Sequence, residues 1–364
     1  MKNIEEIVRV GNENGASDIH ISMGVPVLFR IDGDLQKLDD EVLSFADCEA
    51  IGQRLAGDLF DQMRRTGELD LAETISESRV RINLYRTKGA VSAALRILHD
   101  HIPELSSLGL PKVVSDFPTY NKGIILVTGE TGSGKSTTMA AILNEINHTR
   151  REHIITLEDP IEYIYTDDKC LISQREIGND TESYAEGLRA ILREDPDVIL
   201  IGEMRDGETI ETALTAAETG HLVFATLHTN SAVDSVDRIV GTFPAAKQHQ
   251  IRIQLASTLK AVLSQQLLVK KGGKGRAAAC ECMIVTPAIR NQIREGNTAQ
   301  MQSSLLSSAN IGSISMDNCL IQMVKNNVID AQTAVEASNN ADYVRQNVGG
   351  GAYKATSFDT RRTI

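Results

Sequence analysis

The chain has 364 residues, 41% of them hydrophobic and 24% charged, as in an ordinary globular protein of about two domains. Its formal net charge is −12, and aromatic residues make up only 4% with no Trp. This composition argues against a broad nucleic-acid surface, which needs cations for phosphates and rings for base stacking. The sequence has no transmembrane-length apolar run and no signal-peptide core, and its five cysteines are an odd number. We therefore expect a chain without a transmembrane segment in a reducing cytosol.

Residues 1–115 are predicted to form a small α+β domain together with the linker that follows it. The Asp32-Gly33 pair, placed after an apolar segment, predicts a hairpin turn. Residues 79–85 alternate strictly between apolar and polar, which predicts a strand with Arg79 and Arg81 on its polar face. A stretch rich in proline and glycine follows and breaks any long element, so we place the domain boundary after residue 115.

Residues 116–340 are predicted to form an α/β domain. Short, continuous apolar runs alternate there with helical segments, which is typical of a parallel sheet buried on both faces. Apolar residues at helical spacing predict one long helix over residues 245–270, and residues 286–335 indicate a C-terminal helical portion. Residues 341–364 are predicted to be a disordered tail.

A complete phosphate-binding loop follows the first apolar run of the α/β domain. It matches the pattern G-x-x-x-x-G-K-[ST] and stands between a predicted strand and a predicted helix. Its glycines let backbone N–H groups turn toward phosphate oxygens, and the helix N-terminus adds partial positive charge. We expect Lys135 to reach the β- and γ-phosphates of ATP and the Ser136 hydroxyl to ligate Mg²⁺. The candidate nucleotide-binding residues are Gly129, Glu130, Thr131, Gly132, Ser133, Gly134, Lys135, Ser136 and Thr137.

A P-loop enzyme also needs an acidic residue on a neighbouring strand to hold the metal or its waters. Residues 198–201 form an apolar run that is followed by Gly202 and Glu203, and most P-loop enzymes have Asp where this chain has Gly202. We therefore assign the Mg²⁺ ion to Ser136 and Glu203, with Glu203 acting partly through water.

A second acidic cluster, Glu158, Asp159 and Glu162, follows another apolar strand. A solvated run of charges is the alternative interpretation. Because α/β sheets bind their ligands at the carboxyl ends of the strands, we favour a functional role, with Glu162 as the base that activates water.

A further strand is bounded by His221 and His228. Thr226 and His228 stand at its carboxyl end, where they could sense the γ-phosphate. A histidine on such a strand is more often structural, and the residues alone leave the two interpretations open.

Together these segments resemble the secretion ATPases, the RecA-like ring motors of type II secretion and type IV pili. The P-loop is followed in order by TLEDPIE, IGEMRD and GHLVFATLHTN. The stretches GASDIHI, RIDGDL and AIRNQIREG narrow the resemblance to the pilus retraction ATPases, the PilT family. Gln292 and Asn297 depart from the C-terminal signature of that family, which has an apolar residue in place of Gln292. The resemblance covers residues 1–335.

The resemblance implies a PAS-like N-terminal domain followed by a RecA-like ATPase domain with a C-terminal helical portion. It implies a homohexamer that binds ATP and Mg²⁺ at the subunit junctions. Arginines of the N-terminal domain reach the nucleotide in that family, whereas the residues alone favoured surface arginines. The catalytic candidates are Lys135, Glu162, Glu203, Arg79, Arg81, Arg96 and His228, and the sensing or coupling candidates are Glu158, Asp159, Thr226, His221 and His228.

We therefore expect an ATPase that retracts type IV pili and drives twitching motility. The expected partners are an inner-membrane platform protein and a sister retraction ATPase, with the ring in the cytoplasm at the membrane of the pilus base. An accessory PilU-type paralogue, a non-hydrolysing regulator, and a pilus-assembly or type II secretion ATPase are alternatives. Against the last, the chain begins with the PAS-like unit, and the pair Cys280 and Cys282 lacks the partners of a zinc insert. A RecA-like nucleic-acid motor is disfavoured by the net charge.

Overall fold

In the computed structural model of the chain, residues 3–31, 34–98 and 102–348 are described. They divide into two compact units. The first contains the residues up to Ile102 together with Glu162–Ile164, and the second contains Pro103–Ile161 and the residues from Tyr165 onward. The predicted boundary after residue 115 is therefore displaced. It falls inside a 3-10 helix, Lys112–Thr119, whose Val114 and Phe117 are buried in the second unit.

The first unit is built on a six-stranded antiparallel sheet in the order β3-β2-β1-β6-β5-β4. Helices pack on this sheet and supply much of its apolar core, together with residues of the connecting loops. In β5, Val80, Ile82 and Leu84 are fully buried, and the alternation predicted for this strand is confirmed. The predicted turn at Asp32-Gly33 lies outside the described residues, although the strands on either side of it pair antiparallel. The elements are α1 (Ile4–Glu13), β1 (Asp18–Ile21), β2 (Leu28–Ile31), β3 (Asp34–Lys37), α2 (Phe45–Ala56), α3 (Phe60–Thr66), β4 (Glu68–Ile75), β5 (Ser78–Thr87) and β6 (Ala90–Ile97).

The second unit is built on a seven-stranded sheet in the order β13-β12-β7-β11-β10-β8-β9. All neighbouring strands are parallel except the antiparallel pair β12–β13. Every residue of β7, β10 and β11 is buried, because helices cover both faces of the sheet, as continuous apolar runs predict. The strands are β7 (Gly123–Thr128), β8 (His153–Glu158), β9 (Leu171–Glu176), β10 (Val198–Ile201), β11 (Leu222–Leu227), β12 (Leu259–Val269) and β13 (Arg276–Ile284).

Helices fill the connections of this sheet and form the C-terminal portion of the second unit. Those that follow the strands of the parallel part are α4 (Lys135–Thr149), α5 (Tyr184–Ile191), α6 (Gly207–Glu218), α7 (Ala232–Gly241) and α8 (Ala245–Thr258). The C-terminal helices are α9 (Pro287–Glu295), α10 (Thr298–Ser307), α11 (Met316–Lys325), α12 (Ala331–Glu336) and α13 (Ala341–Asn347).

The long helix predicted over residues 245–270 is wrong in its second half. Helix α8 ends at Thr258, and the chain continues as β12, which pairs with β7 on one side and with β13 on the other. Leu259, Val262 and Leu263 are fully buried there. A continuous apolar run fits a buried strand and a buried helix equally well, so only the long-range pairing with β7 decides between them.

A second correction concerns the C-terminus. Helix α13 occupies Ala341–Asn347, at the start of the segment predicted to be disordered. Its Val344 is fully buried in a cluster with Leu320 and Ile321 of α11, which stabilises a helix too short to form alone. The remainder of the predicted tail, residues 349–364, lies outside the described residues. Within the described residues, none of the helices has the length and apolar character needed to cross a membrane.

Burial of the central strands predicts a large cost for truncating their side chains. Phe224 of β11 is fully buried at the centre of the second sheet. We expect Phe224→Ala to lower the free energy of unfolding by about 3–5 kcal/mol, because it removes apolar contacts and leaves a cavity. Circular dichroism during urea denaturation measures this change. The control, Leu171→Ala, truncates a side chain that is 57% exposed and should change stability by no more than about 0.5 kcal/mol; equal losses in the two variants would contradict the burial.

Candidate functional site

The phosphate-binding loop connects the carboxyl end of β7 to the N-terminus of α4. Gly129 has φ 141°, and a Cβ at this position would lie 2.2 Å from the carbonyl oxygen of Gln265. Gly134 has φ 89° and precedes α4 without a side-chain cap. Both positions favour glycine because L side chains rarely adopt these φ values. The uncapped amides at the start of α4 are therefore available to an anion.

The side chain of Lys135 lies against the loop. Its Nζ donates hydrogen bonds to the carbonyl oxygens of Gly129, at 2.7 Å, and Glu130, at 2.9 Å. These bonds place an ammonium group beside the helix N-terminus, where two sources of positive charge reinforce one another. The arrangement suits the phosphates of a nucleotide.

Gln265 of β12 supports the loop from below and was missed in the sequence. It is 3% exposed, and its Nε2 donates a 2.8 Å hydrogen bond to the carbonyl oxygen of Ser133. Sequence analysis placed this residue in a helix far from the P-loop. Only the pairing of β12 with β7 brings it under the loop.

Glu203 follows the end of β10 and interacts with two basic side chains. Its carboxylate is 2.7 Å from Nη2 of Arg205 and 3.3 Å from Nε2 of His228. Burial raises the pKa of Glu203, but the hydrogen bonds and charges of Arg205 and His228 outweigh burial and hold the pKa below its usual value. Arg205 was not among the predicted residues, although it stands two positions after Glu203 in the sequence.

The two histidines that flank β11 lie at opposite ends of this strand. His228 follows the carboxyl end of β11, whereas His221 precedes its first residue, and its backbone oxygen accepts a hydrogen bond from Gly123 at the start of β7. The Nδ1 atom of His221 lies 2.9 Å from the carbonyl oxygen of Ala216. The structure therefore places His228 at the end of β11 that carries the site, and His221 at the other end of the same strand. Thr226 is buried, and its hydroxyl donates to the carbonyl oxygen of Gly202.

The second acidic cluster begins at the end of β8. The Glu158 carboxylate accepts hydrogen bonds from the hydroxyl of Thr156, at 2.7 Å, and from Nε2 of Gln174, at 3.2 Å. Asp159 precedes a cis Pro160. The exposed Glu162 is grouped with the first unit, unlike Glu158 and Asp159, so the three carboxylates do not form one cluster inside a single unit.

The three candidate arginines lie on one face of the sheet of the first unit. Arg81 of β5 stands directly opposite Arg96 of β6, and Arg79 lies two residues away on the same face. Arg96 Nε donates a 2.9 Å hydrogen bond to Asp18, which stands opposite it on β1. Arg81 and Arg96 are exposed, and Arg79 is half-buried. This cationic face is the polar side of β5 that the sequence predicted.

A broad groove of about 1020 Å³ adjoins the P-loop. Gly134, Thr137 and Thr138 at the start of α4 form part of its wall, together with Gln265 and Leu267 of β12. Its mixed polar and apolar lining continues from the anion-binding end of α4, so the groove offers space for the rest of a nucleotide.

The donor set fits a nucleotide with its divalent cation. The glycine-rich turn, the α4 N-terminus and Lys135 provide positive charge for phosphates. Ser136 is the second residue of α4 and supplies a hydroxyl, and the lowered pKa of Glu203 favours an ionised carboxylate. Oxygen ligands of this kind are those that Mg²⁺ prefers.

Helix α9 contains the signature segment at residues 288–296. Gln292, which departs from the family pattern, donates a 2.8 Å hydrogen bond from Nε2 to the hydroxyl of Ser304 on α10. Gly296 ends the helix with φ 75°. A polar side chain is thus accommodated at this position by a partner on the next helix.

The comparisons with known proteins agree with this geometry. Residues 1–346 match the family described as type II/IV secretion system protein. The type IV pilus retraction ATPase PilT of Pseudomonas aeruginosa is 43% identical over 342 residues, which cover 92% of this chain and 97% of the relative. A twitching motility protein of Neisseria gonorrhoeae is 40% identical over 90% of this chain and 88% of its own length. The crystal structure of the pilus retraction motor PilT with bound ADP matches with a TM-score of 0.89 and 44% identity, covering 95% of this chain and 100% of that one.

The chain belongs to the family of type II/IV secretion system proteins. Within that family it is similar to the PilT-type pilus retraction ATPases, so the resemblance inferred from the motifs is confirmed. The α/β class of the fold is confirmed as well.

The position of Gln265 yields a test of the loop geometry. We expect Gln265→Leu to raise the Kd for ATP about three- to tenfold, the equivalent of one lost hydrogen bond to the P-loop backbone. Isothermal titration calorimetry measures the Kd. The matched control is Gln266→Leu, because the neighbouring Gln266 donates instead to the carbonyl oxygen of Ala337. Equal ATP affinities in the two variants would show that Gln265 does not support the loop.

Proposed function

We propose that this chain is an ATP-hydrolysing motor that powers the retraction of type IV pili. The observation that carries the proposal is the complete P-loop, with Lys135 held against it, in a chain that matches PilT over 92% of its length. Glu203, between Arg205 and His228, supplies the acidic group that such a site requires.

The P-loop is assigned to the phosphates of ATP and to the metal ion. We assign the phosphates of ATP to the loop formed by residues 129–137, where Lys135 exchanges its bonds to the loop carbonyls for bonds to the β- and γ-phosphates. Ser136 and Glu203 would hold Mg²⁺, Glu203 partly through water; when bound, this ion neutralises charge on the phosphates. The groove beside Thr137 takes the nucleoside part.

The residues outside the loop complete the site in the assembled ring. We assign Glu162 as the base that activates water, with Glu158 and Asp159 ordering the neighbouring carboxyl end of β8. Arg79, Arg81 and Arg96 reach the phosphates and stabilise charge in the transition state, an effect of about 10³–10⁵ in rate for such guanidinium groups. The exposure of Arg81 and Arg96, which stand opposite one another on the polar face of the sheet, supports this role.

His228 and Thr226 are the residues we assign to nucleotide sensing. His228 contacts Glu203, and the Thr226 hydroxyl donates to the backbone oxygen of Gly202. A displacement of the Glu203 carboxylate would therefore alter contacts of β11 and of the residue that follows it. His221, at the opposite end of β11, is assigned to coupling through its own strand and through β7, whose Gly123 donates to its backbone oxygen.

The functional unit we propose is a homohexamer of a PAS-like and a RecA-like domain. The two compact units, one with an antiparallel and one with a mainly parallel sheet, support this division. The ring would lie in the cytoplasm against the inner membrane at the pilus base, where it would turn the platform protein, with a sister retraction ATPase as a further partner.

Substitution of Glu162 separates hydrolysis from binding. We expect Glu162→Gln to bind ATP with unchanged Kd and to lose most of its turnover, by about 10²–10⁴-fold, because the amide cannot accept the proton of water. A coupled phosphate-release assay and calorimetry give the two numbers. Lys135→Ala, in contrast, should lose binding and turnover together, since it removes a phosphate-binding cation. Intact turnover with weakened binding in Glu162→Gln would contradict the assigned role.

The biological role is tested by deleting the gene and restoring it with variants. We expect the deletion strain to extend pili that do not retract, and the wild-type gene to restore retraction, whereas Lys135→Ala does not. Fluorescence microscopy of labelled pili measures extension and retraction directly. Loss of all pili would point to an assembly ATPase, and retraction that persists at reduced force would point to the accessory PilU type.

A further inference from the structure

The strand β13 carries a buried carboxylate outside the nucleotide site. Glu281 has 0% exposure. Its Oε1 accepts a 2.9 Å hydrogen bond from the backbone N–H of Ala232, and its Oε2 accepts a 3.4 Å hydrogen bond from that of Met316. These two residues are the first of α7 and of α11. One side chain therefore joins the N-termini of two helices that belong to different parts of the second unit.

The N-cap side chains of the two helices do not bond to the amides of Ala232 and Met316, which donate to Glu281 instead. Ser231 caps α7 and accepts from the amide of Asp234, and Ser315 caps α11 and accepts from the amide of Asn318. The caps thus use the third amide of each helix, and Glu281 takes the first. Helix N-termini stabilise negative charge, which makes a buried carboxylate tolerable here.

Burial and two neighbouring carboxylates act against this stabilisation. Burial raises the pKa of Glu281, and the charges of Asp234 and Asp317 raise it further, while the amides of Ala232 and Met316 lower it. Replacing buried charged groups by apolar side chains of similar volume is often neutral or stabilising. Packing alone therefore does not account for a carboxylate at position 281.

The α7 side of the junction leads into the nucleotide site. The segment before α7 contains His228, which lies 3.3 Å from Glu203, and Asn230, whose Nδ2 lies 3.4 Å from Oε1 of Glu130 in the P-loop. Within the same segment, the hydroxyl of Thr229 lies 2.7 Å from that of Ser235 in α7. The start of α7 is thus held by the site on one side and by Glu281 on the other.

The α11 side leads into the C-terminal helices. Leu320 and Ile321 of α11 pack with Val335 of α12 and Val344 of α13 in one apolar cluster. Just before α11, Ile314 exchanges backbone hydrogen bonds of 2.8 and 2.9 Å with Cys282, the neighbour of Glu281. The start of α11 is therefore bonded to β13 next to Glu281.

We propose that Glu281 is a positioning residue that couples the nucleotide site to the C-terminal helices. It transmits displacement of the segment 228–232 to α11, because both helix N-termini bond to the same rigid carboxylate. The inference rests on the proposed function only in taking the P-loop as the nucleotide site. It adds a specific residue through which that site reaches α11.

The test compares hydrogen–deuterium exchange with and without Mg²⁺ and a non-hydrolysable ATP analogue, in the full chain. We expect the analogue to change exchange in the wild type at two segments, the start of α7 and the start of α11. Glu281→Gln keeps the size of the side chain but leaves one acceptor oxygen. We expect the amide oxygen to keep the shorter bond, to Ala232, and the longer bond, to Met316, to be lost. In this variant the response at α7 should persist and the response at α11 should disappear.

Steady-state kinetics provide a second readout. We expect Glu281→Gln to lower kcat about fivefold, the equivalent of one hydrogen bond, with KM unchanged, because Glu281 does not touch the nucleotide. The matched control is Ser315→Ala, which removes the cap of α11 but not the link to Glu281. It should loosen α11 equally with and without the analogue and keep the difference between the two states.

The outcomes separate the inference from the function on which it rests. An α11 response that survives in Glu281→Gln, or a wild type that binds the analogue with no response at α11, overturns the role of Glu281. A wild type that does not bind the analogue overturns the nucleotide site itself. If Glu281→Gln is unfolded by circular dichroism, Glu281→Asp, which keeps both oxygens on a shorter chain, is measured instead. The same loss of the α11 response is then expected.

Discussion

The structure of the site depends on the burial of three neighbouring parallel strands, β7, β11 and β10. Because every residue of these strands is buried, their polar groups and charges are confined to the strand ends. Parallel strands end at a common edge, so the P-loop, Glu203 and His228 meet there without being close in the sequence. The apolar core fixes the position of the P-loop, which we assign to phosphate binding, relative to the carboxylate assigned to the metal.

The strand β12 extends this sheet and completes the P-loop from the opposite side. Its pairing with β7 brings Gln265 under the carbonyl oxygen of Ser133 and places a buried Ser264 hydroxyl 2.8 Å from that of Thr128. The close approach at Gly129 leaves no room for a Cβ. The loop is therefore shaped both by its glycines and by a strand that follows it by more than a hundred residues, and neither acts alone.

Local patterns were enough to predict the P-loop, the parallel strands and the polar face with Arg79 and Arg81. Glycine spacing, apolar runs and two-residue alternation can all be recognised from residues that are close in the sequence. The same patterns failed at β12 and at Ala341–Asn347. Both depend on partners distant in the sequence: β12 on β7, and Val344 on Leu320. The placement of His221 and His228 at opposite ends of one strand was predicted correctly, because both residues flank a single apolar run, and the parallel pairing with β7 puts His228 at the end that carries the P-loop.

Two glutamates of the second unit show how environment divides one chemical group into different tasks. Glu203 is partly exposed and faces Arg205 and His228, and its pKa is lowered, so it suits a changeable partner such as a hydrated cation. Glu281 is fully buried and accepts hydrogen bonds from the backbone amides of Ala232 and Met316, and its pKa is raised, so it suits fixed geometry. The segment 228–232 runs between the two, because Nε2 of His228 lies 3.3 Å from Glu203 and the amide of Ala232 donates to Glu281. In the coupling that we propose, a displacement that starts at Glu203 reaches Glu281 through this segment and continues into α11.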